Sequence, residues 1–160
     1  MTDAIDKAAG LAPGDAIFEA RRFRPEFVQG AEQCRVSVLT PEHGLGLETA
    51  LRIALARRMA SLNADPVLTA EYDAQLAALG PTEQIVAMAH GKTDLVEPLA
   101  TIARHADLVT LTPSEAKAGD IALLAQAGLS NPQIVALSEL IAFVNFQTRV
   151  AAGLRLMRSL

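Results

Sequence analysis

The chain of 160 residues has no tryptophan, a single tyrosine, Tyr72, and a single cysteine, Cys34. One cysteine cannot close an intramolecular disulfide, so the fold must rest on packing; a domain of this length buries roughly 70% of its unfolded surface without a staple. Histidine occurs three times, as His43, His90 and His105, in separate segments with no ligand-like spacing between them. No metal site and no cofactor is therefore expected. Gly44-Leu45-Gly46 is too short for a phosphate-binding loop, and no serine nucleophile elbow is present. The arginines are scattered, as in Arg21-Arg22 and Arg57-Arg58, under a net charge of −4, and nucleic acid, which wants a concentrated basic face, is not an expected partner. The start, Met1-Thr2-Asp3-Ala4-Ile5-Asp6, lacks the basic residues and apolar run of a signal peptide, so a cytoplasmic location is expected. The longest uncharged segment, Ile121 to Ser138, is interrupted by Gly128-Leu129-Ser130-Asn131-Pro132-Gln133, and no membrane span is expected.

What remains is rich in Ala and Leu. Hydrophobic residues make up 51% of the chain, only 4% are aromatic, and mean hydropathy is +0.26. That mixture favours packed helices, and its apolar excess over one small core predicts a homo-oligomer. Strand-like alternation is weak outside Arg35-Val36-Ser37-Val38, whereas helix punctuation is plentiful. Thr112-Pro113-Ser114-Glu115 reads as a cap followed by Pro at the first helical position. Asp65-Pro66 reads the same way; Gly128 closes one helix and Ser130-x-x-Gln133 opens the next. The expected map places helices near 14–22, 24–37, 45–62, 66–79, 81–89, 95–107, 113–127 and 131–157. The fold class is all-α, a single domain over 1–160 with 1–13 as a loose N-terminal arm.

In the last helix, apolar residues such as Ile134, Leu137, Ile141, Val144 and Val150 occupy the whole circumference, which implies burial on nearly all sides. Ser138, Asn145 and Arg149 instead fall in one sector of roughly 40°. A guanidinium there needs a partner, because an isolated buried charge costs several kcal/mol. Two readings stand: a salt bridge to Glu71, Asp73 or Glu48, within or between subunits, or a pocket in which Arg149 and Asn145 orient an anionic or carbonyl ligand with Tyr72 nearby.

Two blocks carry a resemblance. Leu51-Arg52-Ile53-Ala54-Leu55-Ala56 leads through Leu62-Asn63-Ala64-Asp65 to Tyr72, and Leu111-Thr112-Pro113-Ser114-Glu115 precedes Phe143-Val144-Asn145-Phe146-Gln147-Thr148-Arg149-Val150. Over somewhat under half of the chain these blocks resemble the alkylhydroperoxidase (AhpD-like) and carboxymuconolactone decarboxylase superfamily, in particular its peroxidase-related branch. The resemblance implies an all-helical oligomer, often trimeric or hexameric, with its site beside a Cys-x-x-Cys-x-x-x-His turn, so a trimer or a multiple of it is the favoured state here. Here Asp65 and Leu68 stand in the cysteine places, Tyr72 in the histidine place, and the relay glutamate place falls near Ile53. Peroxide reduction needs a thiolate nucleophile, and neither Asp nor Leu supplies one.

Each substituted position keeps two readings. Asp65 is a helix cap or an acid–base group, Tyr72 a core residue or a ligand contact, and Cys34 a small side chain on a packed helix or a one-cysteine peroxidatic site with Arg35 beside it. Arg104, His105 and Asp107 read as a solvated charged face, and His90-Gly91 as a helix end. The leading functional expectation is a member without thiol peroxidase chemistry that acts as a binding or partner subunit, alone or with a homologous active subunit. The alternatives are an enzyme acting on a small organic acid or lactone through an Arg149 pocket, and a one-cysteine alkyl hydroperoxidase using Cys34.

Overall fold

Helices α4 (Thr49–Leu62) and α9 (Asn131–Arg158) form the spine around which the other helices assemble. The structure, a computed structural model, describes residues 2–159. Around the spine lie α1 (Ala4–Ala9), α2 (Ala16–Arg21), α3 (Pro25–Leu39), α5 (Pro66–Ala78), α6 (Glu83–Ala89), α7 (Leu99–Leu111) and α8 (Ala118–Gln126), with a 3-10 turn at Pro113–Glu115. The chain is an all-helical single domain, as its composition implies. One continuous core joins Ile53, Leu55 and Met59 of α4 to Leu68 and Tyr72 of α5, Ile102 of α7, and Leu137, Leu140 and Val144 of α9.

Helix α9 has the length and apolarity of a membrane span, yet 61% of its most apolar window is buried inside the fold, so the core uses that apolarity. Its start follows the local chemistry: Ser130 caps, and the Ser130 amide donates to Gln133 Oε1 at 2.8 Å.

Several boundaries differ from the expected map for local reasons. Helix α4 begins at Thr49 rather than near residue 45, because Leu45 and Gly46 both have positive φ. The loop before it is held by Arg52, which is 2% exposed and donates to the carbonyls of Leu47, Val38 and Gly44 at 2.8, 2.8 and 2.9 Å. A guanidinium buried among three carbonyls satisfies its hydrogen bonds although it forms no ion pair among the described residues, and burial lowers its pKa against the opposing pull of the Glu139 charge. The expected helix over 113–127 is split: Thr112 makes no side-chain cap, the 3-10 turn ends at Glu115, and α8 restarts where Asp120 accepts from the Lys117 backbone at 2.9 Å.

Residues 2–13, expected as part of a loose arm over 1–13, are not loose. Asp3 and Asp6 form a capping box on α1, and Asp6, fully buried, pairs with both Arg21 and Arg22. Those hydrogen bonds outweigh the burial that would raise its pKa, and the carboxyl titrates below its ordinary value. At the other end of α1, Arg155 and Arg158 donate to the Ala8 and Ala9 carbonyls at 2.8 and 3.2 Å, matching cationic side chains to a helix C-terminus. The signal was present in Asp3-x-x-Asp6, but a helix of 6 residues is too short to show a period.

Candidate functional site

The turn from α4 to α5 is built as scaffold. Asp65 is 2% exposed, accepts from the Leu68 amide at 3.1 Å as the cap of α5, and pairs with Arg155 at 2.6 Å. Leu68 is fully buried in the core. Tyr72, 1% exposed, donates its hydroxyl to Gln147 Oε1 at 2.6 Å, and burial raises its pKa strongly. Asp65 is thus the cap, and Tyr72 the core residue with a satisfied hydroxyl, of the two readings each left open. Arg155, Gln147 and Thr148, the partners on α9, are turned about 100° or more around the helix from Arg149, and one helix's sequence does not show which face meets the turn.

Asn63, just before the cap, donates to Asn145 Oδ1 and Thr148 Oγ1 at 3.0 and 3.2 Å. Asn145 in turn donates to Thr110 Oγ1 and the Ile141 carbonyl at 3.1 and 3.0 Å. Both its amide hydrogens and its oxygen are engaged, so Asn145 ties α4, α7 and α9 together and has no donor left for a ligand.

Ser138, Asn145 and Arg149 do line one hollow, of about 540 Å³, between α7 and α9, together with His105, Val109 and Phe146. Tyr72 is not part of it, so the expected four-residue constellation is only three-quarters assembled. Ser138 donates to the Ile134 carbonyl of its own helix at 2.8 Å. Arg149 is exposed and makes no ion pair among the described residues. The carboxylates considered for it are engaged elsewhere: Asp73 with Arg57 at 2.9 Å, and Glu71 with Gln75 at 3.1 Å, while Glu48 sits at the N-terminus of α4. The charged face expected of Arg104, His105 and Asp107 is also absent. Asp107 reaches the nearly buried Arg58 at 2.6 Å, Arg104 pairs with Asp120 at 3.1 Å, and His105 is 4% exposed with no partner for Nδ1. Burial lowers the His105 pKa, keeping the ring neutral. His90 ends α6 as expected, and among the described residues no group of His, Cys, Asp or Glu is placed to hold a metal.

A larger hollow, about 800 Å³, opens between α1, α3 and α5; no sequence pattern reveals it, because one wall is α1, a helix of 6 residues too short to show a period. Lys7, Glu71 and Gln75 face Gln29, Gln33 and the Glu32–Arg35 pair across it. Arg35 and Glu32 satisfy each other at 2.7 Å. Lys7 has no ion pair among the described residues, and the half-buried Glu71 has its carboxyl raised by burial despite Arg35 and Lys7 nearby. An ammonium and a protonatable carboxyl therefore share a cavity whose glutamines offer both donors and acceptors.

Cys34 is on α3 and exposed, not packed into a helix interface. Partial burial and the Glu139 charge raise its pKa, while Arg35 turns to Glu32; nothing activates the thiol.

No protein-family model matches this chain, and no curated protein sequence matches it. In three dimensions it is similar to the crystal structure of an uncharacterized peroxidase-related protein from Silicibacter sp. TM1040. The TM-score is 0.72 at 18% identity, over 92% of this chain and 77% of that one. The fold is that of a peroxidase-related helical protein. At that identity the likeness speaks for the fold alone.

Proposed function

We propose that this chain is an alkylhydroperoxidase/carboxymuconolactone decarboxylase superfamily member that has given up thiol peroxidase chemistry and serves as a small-molecule binding subunit. The observation that carries the reading is the sealing of the motif turn: Asp65 bound to Arg155, Leu68 at 0% exposure, Tyr72 bound to Gln147. No peroxide could reach these positions, and none would find a nucleophile there.

The ligand site is the hollow between α1, α3 and α5, whose volume falls in the ~300–1,000 Å³ range of small-molecule pockets. Lys7 suits an anionic end and Glu71 a cationic or hydrogen-bond-donating end, so the ligand class is small and zwitterionic, of amino-acid type. Catalysis on an organic acid through Arg149 has less support. Asn145 is fully engaged and Ser138 donates to its own helix, which leaves Arg149 among largely apolar neighbours.

Thermal shift with amino acids, matched simple amines and matched carboxylates tests the reading. Amino acids should stabilise the protein more than either half, and Lys7→Met and Glu71→Gln should each abolish that preference. Turnover of an alkyl hydroperoxide with a dithiol, lost in Cys34→Ser, would overturn the proposal.

A further inference from the structure

One face of the 28-residue helix α9 is left uncovered by the fold. Val135, Glu139, Ala142, Phe146, Arg149 and Gly153 recur every three or four residues and share a sector of roughly 80°. All six are exposed, and Val135 at 56% and Phe146 at 46% are high for large apolar side chains. Glu139 and Arg149 have no ion-pair partner among the described residues. Ten residues apart, about 15 Å along a helix, they cannot pair with each other.

The order of these side chains is complementary to its own reverse. Val144, turned inward and fully buried, marks the centre. Two residues to either side stand Ala142 and Phe146, five to either side Glu139 and Arg149, and nine to either side Val135 and Gly153. When two copies of a helix pack antiparallel about a two-fold axis, each residue faces the one equally far beyond the centre in its partner. In this register each large apolar side chain meets a small residue and each charge meets its opposite, twice over. Moving the centre by one helical turn sets Arg149 against Phe146 and Glu139 against the exposed Leu156, so the complementarity belongs to one register. A lipid surface would have to accept an acid and a base in the middle of the same stripe.

We infer that α9 packs antiparallel against the α9 of a second copy of this chain, across a two-fold axis level with Val144. The Arg149 guanidinium then finds its carboxylate in the partner's Glu139, and the partner's Phe146 settles over Ala142 beside the α7–α9 hollow. The contact is separate from the ligand hollow between α1, α3 and α5, so the two stand or fall independently.

Sedimentation of the full chain, with circular dichroism to confirm folding, tests the register. The wild type should sediment as a dimer or a multiple of two at micromolar concentration. Glu139→Arg and Arg149→Glu should each weaken association about tenfold or more, since two attractive pairs become repulsive. The double variant E139R/R149E should restore it to near the wild-type level. Val135→Cys with Gly153→Cys, in a Cys34→Ser background, should oxidise to a covalent dimer; the two positions, about 27 Å apart on one helix, cannot bridge within a chain. A folded wild type that stays at 16.9 kDa or assembles in odd number, single reversals without effect, a double variant no better than the singles, or no cross-link would each overturn the inference.

Discussion

Arg155 near the end of α9 meets Asp65 at the start of α5 at 2.6 Å, while its other nitrogen donates to the Ala8 carbonyl at 2.8 Å. One guanidinium thus ties the first helix, the α4–α5 turn and the last helix together. Truncating it to Arg155→Met leaves Asp65, 2% exposed, as an unpaired buried charge and frees the end of α1. Because Arg155 is itself partly exposed, the expected loss is about 2–3 kcal/mol, below the range for fully buried pairs. Chemical denaturation should show it as a lower midpoint at unchanged slope. Asp65→Ala adds loss of the cap, about 1 kcal/mol more, and the two variants should be strongly non-additive.

Placing a thiol pair in the α4–α5 turn should not create a peroxidase. Asp65→Cys with Leu68→Cys puts one cysteine into a fully buried site, where burial holds the thiol protonated, and removes the charge that engages Arg155. The expected outcome is a destabilised protein with no hydroperoxide turnover in a coupled dithiol assay. In the unaltered protein, exposed Cys34 should be labelled completely by a maleimide in the native state, slowly near neutral pH because its pKa is raised.

Glu71 sets a pH dependence whose sign follows from its burial. Its folded pKa lies above the ordinary 4.5, so the folded protein holds this proton more tightly than the unfolded chain. That contribution is complete below pH 4.5 and is lost as pH rises through the folded value. Glu71→Gln keeps the Gln75 neighbour and cannot ionise; it should raise the melting temperature at neutral pH and lose this advantage in acid. His105 acts in the opposite direction, since its folded pKa lies below 6.5 and stability should fall as pH drops below that value.

The helical class was legible because Ala and Leu dominate and because caps such as Ser130-x-x-Gln133 and Asp65-Pro66 carry their own mechanism. The absence of a Cys-x-x-Cys pair at the α4–α5 turn was equally legible, being a matter of residue identity. Which residues the α4–α5 turn would contact was not. Gln147, Thr148 and Arg155 share α9 with Ser138 and Arg149, and periodicity gives their relative angles without saying which angle faces α5. The α1–α3–α5 hollow was hidden for a related reason: its walls come from segments far apart in the chain, one of them a helix of 6 residues with no period to read. Leu45, with a positive φ that leucine seldom adopts, moved a helix boundary that no propensity would have moved.

Arg149 and Arg155 stand on the same helix and make opposite predictions. Arg155 is fixed by a buried carboxylate, whereas Arg149 has no carboxylate partner among the described residues and borders the α7–α9 hollow. Arg149→Met removes no intramolecular pair and replaces one long side chain by another, so the stability of the dilute protein should stay within about 0.5 kcal/mol of wild type. Its effect should emerge with concentration. A protein in which Arg149 pairs with Glu139 of a second copy gains melting temperature as concentration rises, and the variant should gain less because that pair is missing. Melts of wild type and Arg149→Met across a hundredfold range of concentration separate the cases. A loss of stability as large as that of Arg155→Met, independent of concentration, would mean that Arg149 has an intramolecular partner after all, and the exposed charge on α9 would need another account.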